Sequence, residues 1–537
     1  MKLWSLKGID ILVVDDFPSM RSMMISMLKA YGADTIRQAS NGKEAILRIE
    51  EKTPELVMCD YNLGEGQDGQ EVLEEAKEKN LLPYSSIFFL VTAENTNLMV
   101  MGAMDYRPDD YLVKPFTKDI LQARVRKVQA RKSGMNHISN AIVAKKYSKA
   151  LSLIEVELQK NGPNKLELMR LKGEMLQKNM DYDGAQILYE EVLDIREIAW
   201  AQFGLGVSLY YQKELDSALD LFEDIIQANS NFLLAYDWIA KIEKSLGDDT
   251  RAQEMLERAV KLSPKGVRRQ QELAEVALAN NDLKVAQTAY TVVLKTGSNS
   301  CYRSPNDYGG LAKVYAAQSQ NDEASKLIED MKKEYKNADP ATQLQTAVLE
   351  GVVSHSIGDE DKSKAAIERA MKLYERNPDK LSSNQAMDMA KTCFELGEKD
   401  NASEFMKHVV RNQNENTETM NEAKALFKKY DMDDVGQELM SATNKEIIDV
   451  NNQGVALVKE GKLRESIRLF QQAARAMSEN TTVNLNAAHS LLMMMKSKGP
   501  NEQHLSQTRE YLDRVRLVDA KNKRYTELLA RYKTFSG

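Results

Sequence analysis

The stretch Ile9–Asp16, IDILVVDD, decides the fold of the first part of this chain. An unbroken apolar run of strand length that ends in paired carboxylates reads as a strand buried on both faces, with its acids delivered to its carboxyl end. Working outward, Leu56–Cys59, Ile87–Val91 and Asp110–Val113 are further short runs, and Thr35–Ala39 supplies a fifth. Between them Ser19–Tyr31, Lys43–Glu51, Gly69–Lys79 and Thr117–Lys132 carry apolar residues at helical spacing. Strands and helices that alternate at this length build a parallel sheet covered on both faces. Ligands of such a sheet collect outside the carboxyl ends of its strands.

The polar residues at those ends are Asp15 and Asp16 after the first strand, Asp60 after the third, Thr92 after the fourth, and Lys114 with Pro115 after the fifth. Three carboxylates that converge in one pocket repel each other unless a cation shares it. Mg²⁺ suits the set, because it takes a few carboxylates, a carbonyl and waters. Asp60 would then be a nucleophile for a phosphoryl group, with Lys114 and the ion offsetting the developing negative charge.

Across about residues 8–130 these residues resemble the receiver domain of bacterial response regulators, a flavodoxin-like, doubly wound, five-stranded parallel sheet. The resemblance implies that Asp15 and Asp16 are the acidic pair, Asp60 the phosphoacceptor and Asn62 the donor of a backbone carbonyl to Mg²⁺. It implies Thr92 as the switch hydroxyl, Lys114 as the cation on the phosphoryl group and Tyr111 as the switch aromatic. A phosphohistidine on a sensor histidine kinase would be the donor. One departure lies in Tyr61–Gly69, YNLGEGQDG, which has no proline, is longer than the family's loop and adds two glycines that give it freedom. A receiver that keeps the fold but takes no phosphate stays open.

From about Met135 the strand signal ends. Small residues recur in pairs 12 positions apart: Gly173 and Ala185, Gly206 and Ala218, Ala240 and Ala252, Ala274 and Ala286, Ala312 and Ala324, Gly351 and Ser363, Ala390 and Ala402, Gly454 and Ser466. Four residues after each second member stands a large side chain, as at Tyr189, Phe222, Leu256, Tyr290 and Phe470. Small residues let two antiparallel helices approach, and the large one fills the gap to the next pair. A gap of 64 residues before the last unit leaves room for a degenerate repeat, and a weaker unit, with Ala150, precedes the series. The stretch Asn486–Phe535 reads as a long-loop unit with a capping helix.

This phase resembles the tetratricopeptide repeat over roughly residues 136–520. It implies two parts, a receiver over 1–133 and an all-α solenoid of about 8 to 10 helix pairs over 134–537. It also turns Arg170, Glu174, Trp200, Phe203, Tyr210, Tyr211, Asp237, Lys241, Lys244, Arg268 and Glu275 toward a concave face, where aromatic anchors beside both signs of charge suit a protein ligand. The reading is therefore a response regulator that controls a protein partner, for instance by sequestering or inhibiting a kinase or a competing regulator. A phosphorylation-independent scaffold with the receiver as a docking module is the alternative.

Composition narrows the classes. Over 537 residues the net charge is -7, with 42% hydrophobic and 28% charged residues, so no cationic footprint for nucleic acid is expected. Cys59, Cys301 and Cys393 are far apart and form no metal or disulfide pattern, which fits a reducing cytoplasm. No signal-peptide pattern and no run of about 18 apolar residues is found, so membrane insertion is not expected. The five histidines lack ligand spacing, and the methionines read as core filler. Without a P-loop, nucleophile elbow or kinase signature, no enzymatic output is expected beyond the receiver's own phosphorylation and dephosphorylation. Neither the cognate kinase nor the target is named by the sequence, and a homodimer stays open.

Overall fold

In the computed structural model the described residues are 4–93, 108–132, 134–160, 162, 164–519 and 522–536. The chain forms two compact units, Met1–Arg303 and Ser304–Gly537.

The first unit contains a five-stranded parallel sheet in the order β2-β1-β3-β4-β5, with β1 Asp10–Val14, β2 Thr35–Ala39, β3 Leu56–Asp60, β4 Ile87–Thr92 and β5 Asp110–Val113. The register sets Val14 beside Cys59 and Asp60 beside Val91, so the residues that follow these strands emerge at one edge. β1, β3 and β4 are buried throughout, as their continuous apolar runs require. Helices α1 Pro18–Lys29, α2 Gly42–Glu51, α3 Gly69–Glu78 and α4 Lys118–Lys132 accompany the sheet. Alternate strand residues feed two cores. Ile11, Val13, Met58 and Phe89 pack with Met24, Leu28 and Val125, while Leu12, Val57, Cys59 and Leu90 pack with Ile46, Ile49, Val72 and Leu73. The order of the strands is that of the expected doubly wound sheet.

The basic stretch Arg124–Lys132 is partly engaged in ion pairs. Arg124 pairs with Asp110, and Lys132, half-buried, pairs with Asp109 and donates to the carbonyl of Ser86. Burial lowers the Lys132 ammonium below its ordinary value, against the pull of Asp109.

The remaining helices of the first unit run in antiparallel pairs from Asn136–Val143 to Leu283–Thr296. Contacts at the small positions show why the 12-residue spacing recurs. A Cβ on Gly173 would fall 2.5 Å from the ring of Tyr189, and one on Gly204 would fall 2.3 Å from the same ring. Tyr189 thus fills the gap inside its own pair and toward the following helix. Phe222 does the same at Gly206. Ala150, the small residue of the weaker first unit, is fully buried.

In the second unit the same device carries a polar variant. Ser363 Oγ donates to the carbonyl of Gly351 at 2.8 Å, and Ser466 Oγ to that of Gly454 at 3.0 Å, which satisfies a buried hydroxyl between close helices. The degenerate repeat is present in fused form. Thr417–Lys429 is followed by one 27-residue helix, Asp433–Lys459, which sets Gly436 against Phe427 and Gly454 against Phe470. No glycine or proline lies between Gly436 and Gly454 to break it. The expected long loop near the C-terminal end is corrected as well: Thr481–Lys498 and Glu502–Asp519 are joined by Gly499–Asn501, with Gly499 at φ +83°, and Lys523–Ser536 follows. Met494 and Met495 are buried in this core, as core filler should be.

Candidate functional site

Buried strand ends deliver the acids. Asp15 follows β1 and is fully buried, Asp60 closes β3 and Thr92 closes β4, both nearly buried. Carboxylate oxygens of Asp15, Asp16 and Asp60 lie within 4.8 Å of one another. Lys114, one residue past β5, reaches into this group. Its Nζ stands 2.9 Å from Asp15 Oδ2 and 2.8 Å from Asp60 Oδ1. The Lys114 backbone N–H donates to the carbonyl of Thr92 at 2.7 Å, which ties the end of β4 to the same place, and the Lys114–Pro115 peptide is cis.

Further bonds orient the acids. Asp15 Oδ1 accepts from the Phe17 N–H at 2.9 Å, and the Arg21 guanidinium donates to the carbonyl of Asp15. Burial pushes the Asp60 carboxyl up to about 6; Lys114 opposes the rise, and the charges of Asp15 and Asp16 add to it. Asp16 Oδ1 is buried and has no hydrogen-bond partner. A carboxylate oxygen of this kind, beside two more carboxylates, is a donor set for a hard divalent cation, so the residues fit Mg²⁺.

Asn62 and Tyr111 flank the group differently. Asn62 is exposed, and its side-chain oxygen accepts from the Gly64 N–H at 3.2 Å. Tyr111 is half-buried against the core that holds Leu63, Val72 and Leu90. The long loop after Asp60 is less free than its glycines imply. Tyr61 and Leu63 are buried, the Gly69 N–H donates to the Tyr61 carbonyl at 2.8 Å, and Asp68 with Glu71 forms a capping box on α3. Apolar anchors and a reciprocal cap outweigh the conformational freedom of Gly64 and Gly66.

The expected groove residues fall into separate sets. Arg170 bonds Glu174, Glu167 and the hydroxyl of Tyr84, the last at 2.9 Å. Trp200 packs edge-on against Tyr189, and Phe203 against Phe222, Phe232 and Trp238. Tyr210, Tyr211 and Trp238 surround the ammonium of Lys241 at 4.9, 5.8 and 4.4 Å. A cavity of about 540 Å³ is lined by Asp237, Trp238, Lys241, Lys244, Arg268 and Glu275 among others.

Residues that the sequence did not single out join the receiver-like sheet to these helices. Tyr84 reaches Glu167 and Arg170, and the Ser85 N–H donates to Ser139 Oγ at 3.0 Å. On α3, Glu74 accepts from Ser300 Oγ at 2.5 Å and Glu78 from the Tyr302 hydroxyl at 2.9 Å. The only hint in the sequence was the acidic face of Glu71, Glu74, Glu75 and Glu78, which reads equally well as solvated.

Comparison with known proteins agrees with this architecture. Residues 11–126 match the response regulator receiver domain, and residues 200–231 and 233–265 match the tetratricopeptide repeat. The chain is 32% identical over 147 residues to the transcriptional regulatory protein ZraR of Escherichia coli K12, covering 26% of this chain and 31% of that protein. It is 35% identical over 121 residues to the probable transcriptional regulator ycf27 of Pyropia yezoensis, covering 22% of this chain and 47% of that protein. The chain thus spans less than half the length of these curated relatives. Among solved structures, the receiver domain of NtrX from Brucella abortus is similar at 26% identity with a TM-score of 0.21, over 22% of this chain and 98% of that chain. The chain carries a response regulator receiver domain at residues 11–126 and tetratricopeptide repeats within residues 200–265.

Proposed function

We propose that this chain is a phosphorelay response regulator in which Asp60 accepts a phosphoryl group from the phosphohistidine of a sensor histidine kinase. The observation that carries the reading is the cluster of Asp15, Asp16 and Asp60 with Lys114 bridging two of the three. A carboxylate oxygen of Asp60 attacks phosphorus, the P–N bond to the donor imidazole breaks, and the imidazole leaves with the electron pair and a proton from solvent. Lys114, already 2.8 Å from Asp60, offsets charge that gathers on the phosphoryl oxygens. Asp15, Asp16, Asp60 and the carbonyl of Asn62 would hold Mg²⁺, which supplies further positive charge when bound. Thr92, at the end of β4, and Tyr111, in the neighbouring β5, are the switch pair whose repositioning follows phosphorylation.

The receiver over residues 1–133 then governs how the helical part, 134–537, engages a protein target in the cytoplasm. Sequestration or inhibition of a kinase or competing regulator is the form of control that a repeat domain without a catalytic motif can exert. The aromatic and basic set of Tyr210, Tyr211, Trp238, Lys241 and Lys244 supports a protein ligand.

Incubation of the full chain with a small acyl phosphodonor and Mg²⁺, followed by intact mass spectrometry, tests the first part. Wild type gains one phosphoryl group and Asp60→Asn gains none. No gain in wild type, or equal gain in both, overturns the assignment.

A further inference from the structure

Helix α3 carries Glu71, Glu74, Glu75 and Glu78, and part of this acidic face is covered. Glu74, a charged residue, is only 2% exposed. Its carboxylate accepts from Ser300 Oγ at 2.5 Å and has Cys301 Sγ at 3.7 Å. One helical turn on, Glu78 accepts from the hydroxyl of Tyr302, whose ring lies under the guanidinium of Arg268 at 5.0 Å. At the start of the helix, Gln67 donates to the Asn299 carbonyl at 3.3 Å, and the ammonium of Lys265 stands 5.8 Å from the ring of Tyr61. Carboxylates at i and i+4 on one helix thus meet the hydroxyls of Ser300 and Tyr302, with Arg268 on the ring of Tyr302. A buried carboxylate is tolerated only where such donors meet it.

This covered face is mechanically joined to Asp60. A Cβ on Gly69, the first residue of α3, would fall 2.1 Å from the carbonyl oxygen of Asp60, and Gly69 N–H is bonded to the Tyr61 carbonyl. No slack separates the backbone of Asp60 from the helix. The same region is already crowded with negative charge: burial pushes the Glu71 carboxyl up to about 7, with Asp68 and Glu74 adding to the rise and Lys265 opposing it. An acyl phosphate carries roughly -1.5 to -2 charges in place of the single carboxylate charge of Asp60, so the site becomes more negative.

We propose that the face made by Lys265, Arg268 and residues 299–302 is a receptor for an acidic helix, filled in cis by α3 in the resting chain and vacated when Asp60 is phosphorylated. This rests on Asp60 being the phosphoacceptor. The vacated face fits a partner helix with carboxylates at the spacing of Glu74 and Glu78. Regulation is then competition: the receiver holds the site until its own charge drives it off.

Cys301 reports the state of this contact. Burial, and then Glu74, Glu75 and Glu78, push its thiol up to about 12, whereas Cys59 and Cys393 are fully buried. Departure of α3 removes the three carboxylates, so more thiolate forms and labelling quickens. The test follows maleimide labelling of Cys301 in the full chain, with intact mass recording phosphorylation in the same samples. Expected is a rise of at least about tenfold in the labelling rate on phosphorylation, none in Asp60→Asn, and a similar rise without phosphodonor in Ser300→Leu, which takes the hydroxyl donor from buried Glu74 and sets a larger apolar side chain against it. A phosphorylated chain that labels at the resting rate or slower overturns the inference and leaves Asp60 as acceptor. A chain that takes no phosphoryl group overturns both. A Ser300→Leu chain that labels like wild type shows that this contact does not hold α3 on the face, and overturns the inference alone.

Discussion

The carbonyl oxygen of Asp60 occupies the space that a side chain on Gly69 would need, with 2.1 Å between it and an ideal Cβ. The end of β3 and the start of α3 are therefore one rigid corner. Gly69→Ala must move backbone, and overpacking of this kind costs about 1–3 kcal/mol. Hydrogen exchange of the β3 and α3 amides should quicken by the corresponding factor, with the repeats of Ser304–Gly537 unchanged.

Lys114 bridges Asp15 and Asp60, and it is the only cation that the ion pairs among the described residues place on either of them. In Lys114→Gln the fold should persist, because the Lys114 backbone bond to Thr92 is kept. Transfer to Asp60 loses a preorganised positive charge, and the rate of phosphoryl uptake from a small donor should fall by about 10²-fold. Uptake within twofold of wild type would remove Lys114 from the chemistry.

Tyr84 holds the receiver to Lys165–Lys178 through Glu167 and Arg170. Tyr84→Phe leaves these partly buried charges one partner short, at a cost of about 1–3 kcal/mol. Protection of the Lys165–Lys178 amides from exchange should drop, while that of Asp433–Lys459 stays as it is.

His408 gives the second unit a pH dependence. Its ring accepts from the Tyr374 hydroxyl at Nδ1 and donates from Nε2 to the Leu381 carbonyl, a pattern of the neutral imidazole. Burial lowers its pKa to about 4 from an ordinary 6.5. The unfolded chain binds the proton more readily, so the stability from this group is complete above about pH 6.5 and is lost as pH falls toward 4. The full loss is roughly 3 kcal/mol. Urea midpoints between pH 7 and pH 4.5 should fall further in wild type than in His408→Gln, and equal falls would rule the histidine out.

No membrane-crossing helix is present among the described residues, since none is both long and apolar enough.

The sequence by itself determined the sheet, its strand ends and the repeat phase. Each of these is local: a period of apolar residues, an acid at the end of a run, a pair of small residues 12 positions apart. Continuous burial of β1, β3 and β4 made their runs legible, and steric exclusion made Gly173 with Tyr189 and Gly206 with Phe222 recur in phase. Tertiary structure alone decided what covers the acidic face of α3. Glu74 and Ser300 are 226 positions apart, and no periodicity links them. A glutamate on a helix face reads as solvated until a hydroxyl from another part of the chain is set against it. The same reason hid the bond between Tyr84 and Arg170, because a hydrogen bond between distant elements leaves no pattern in either one.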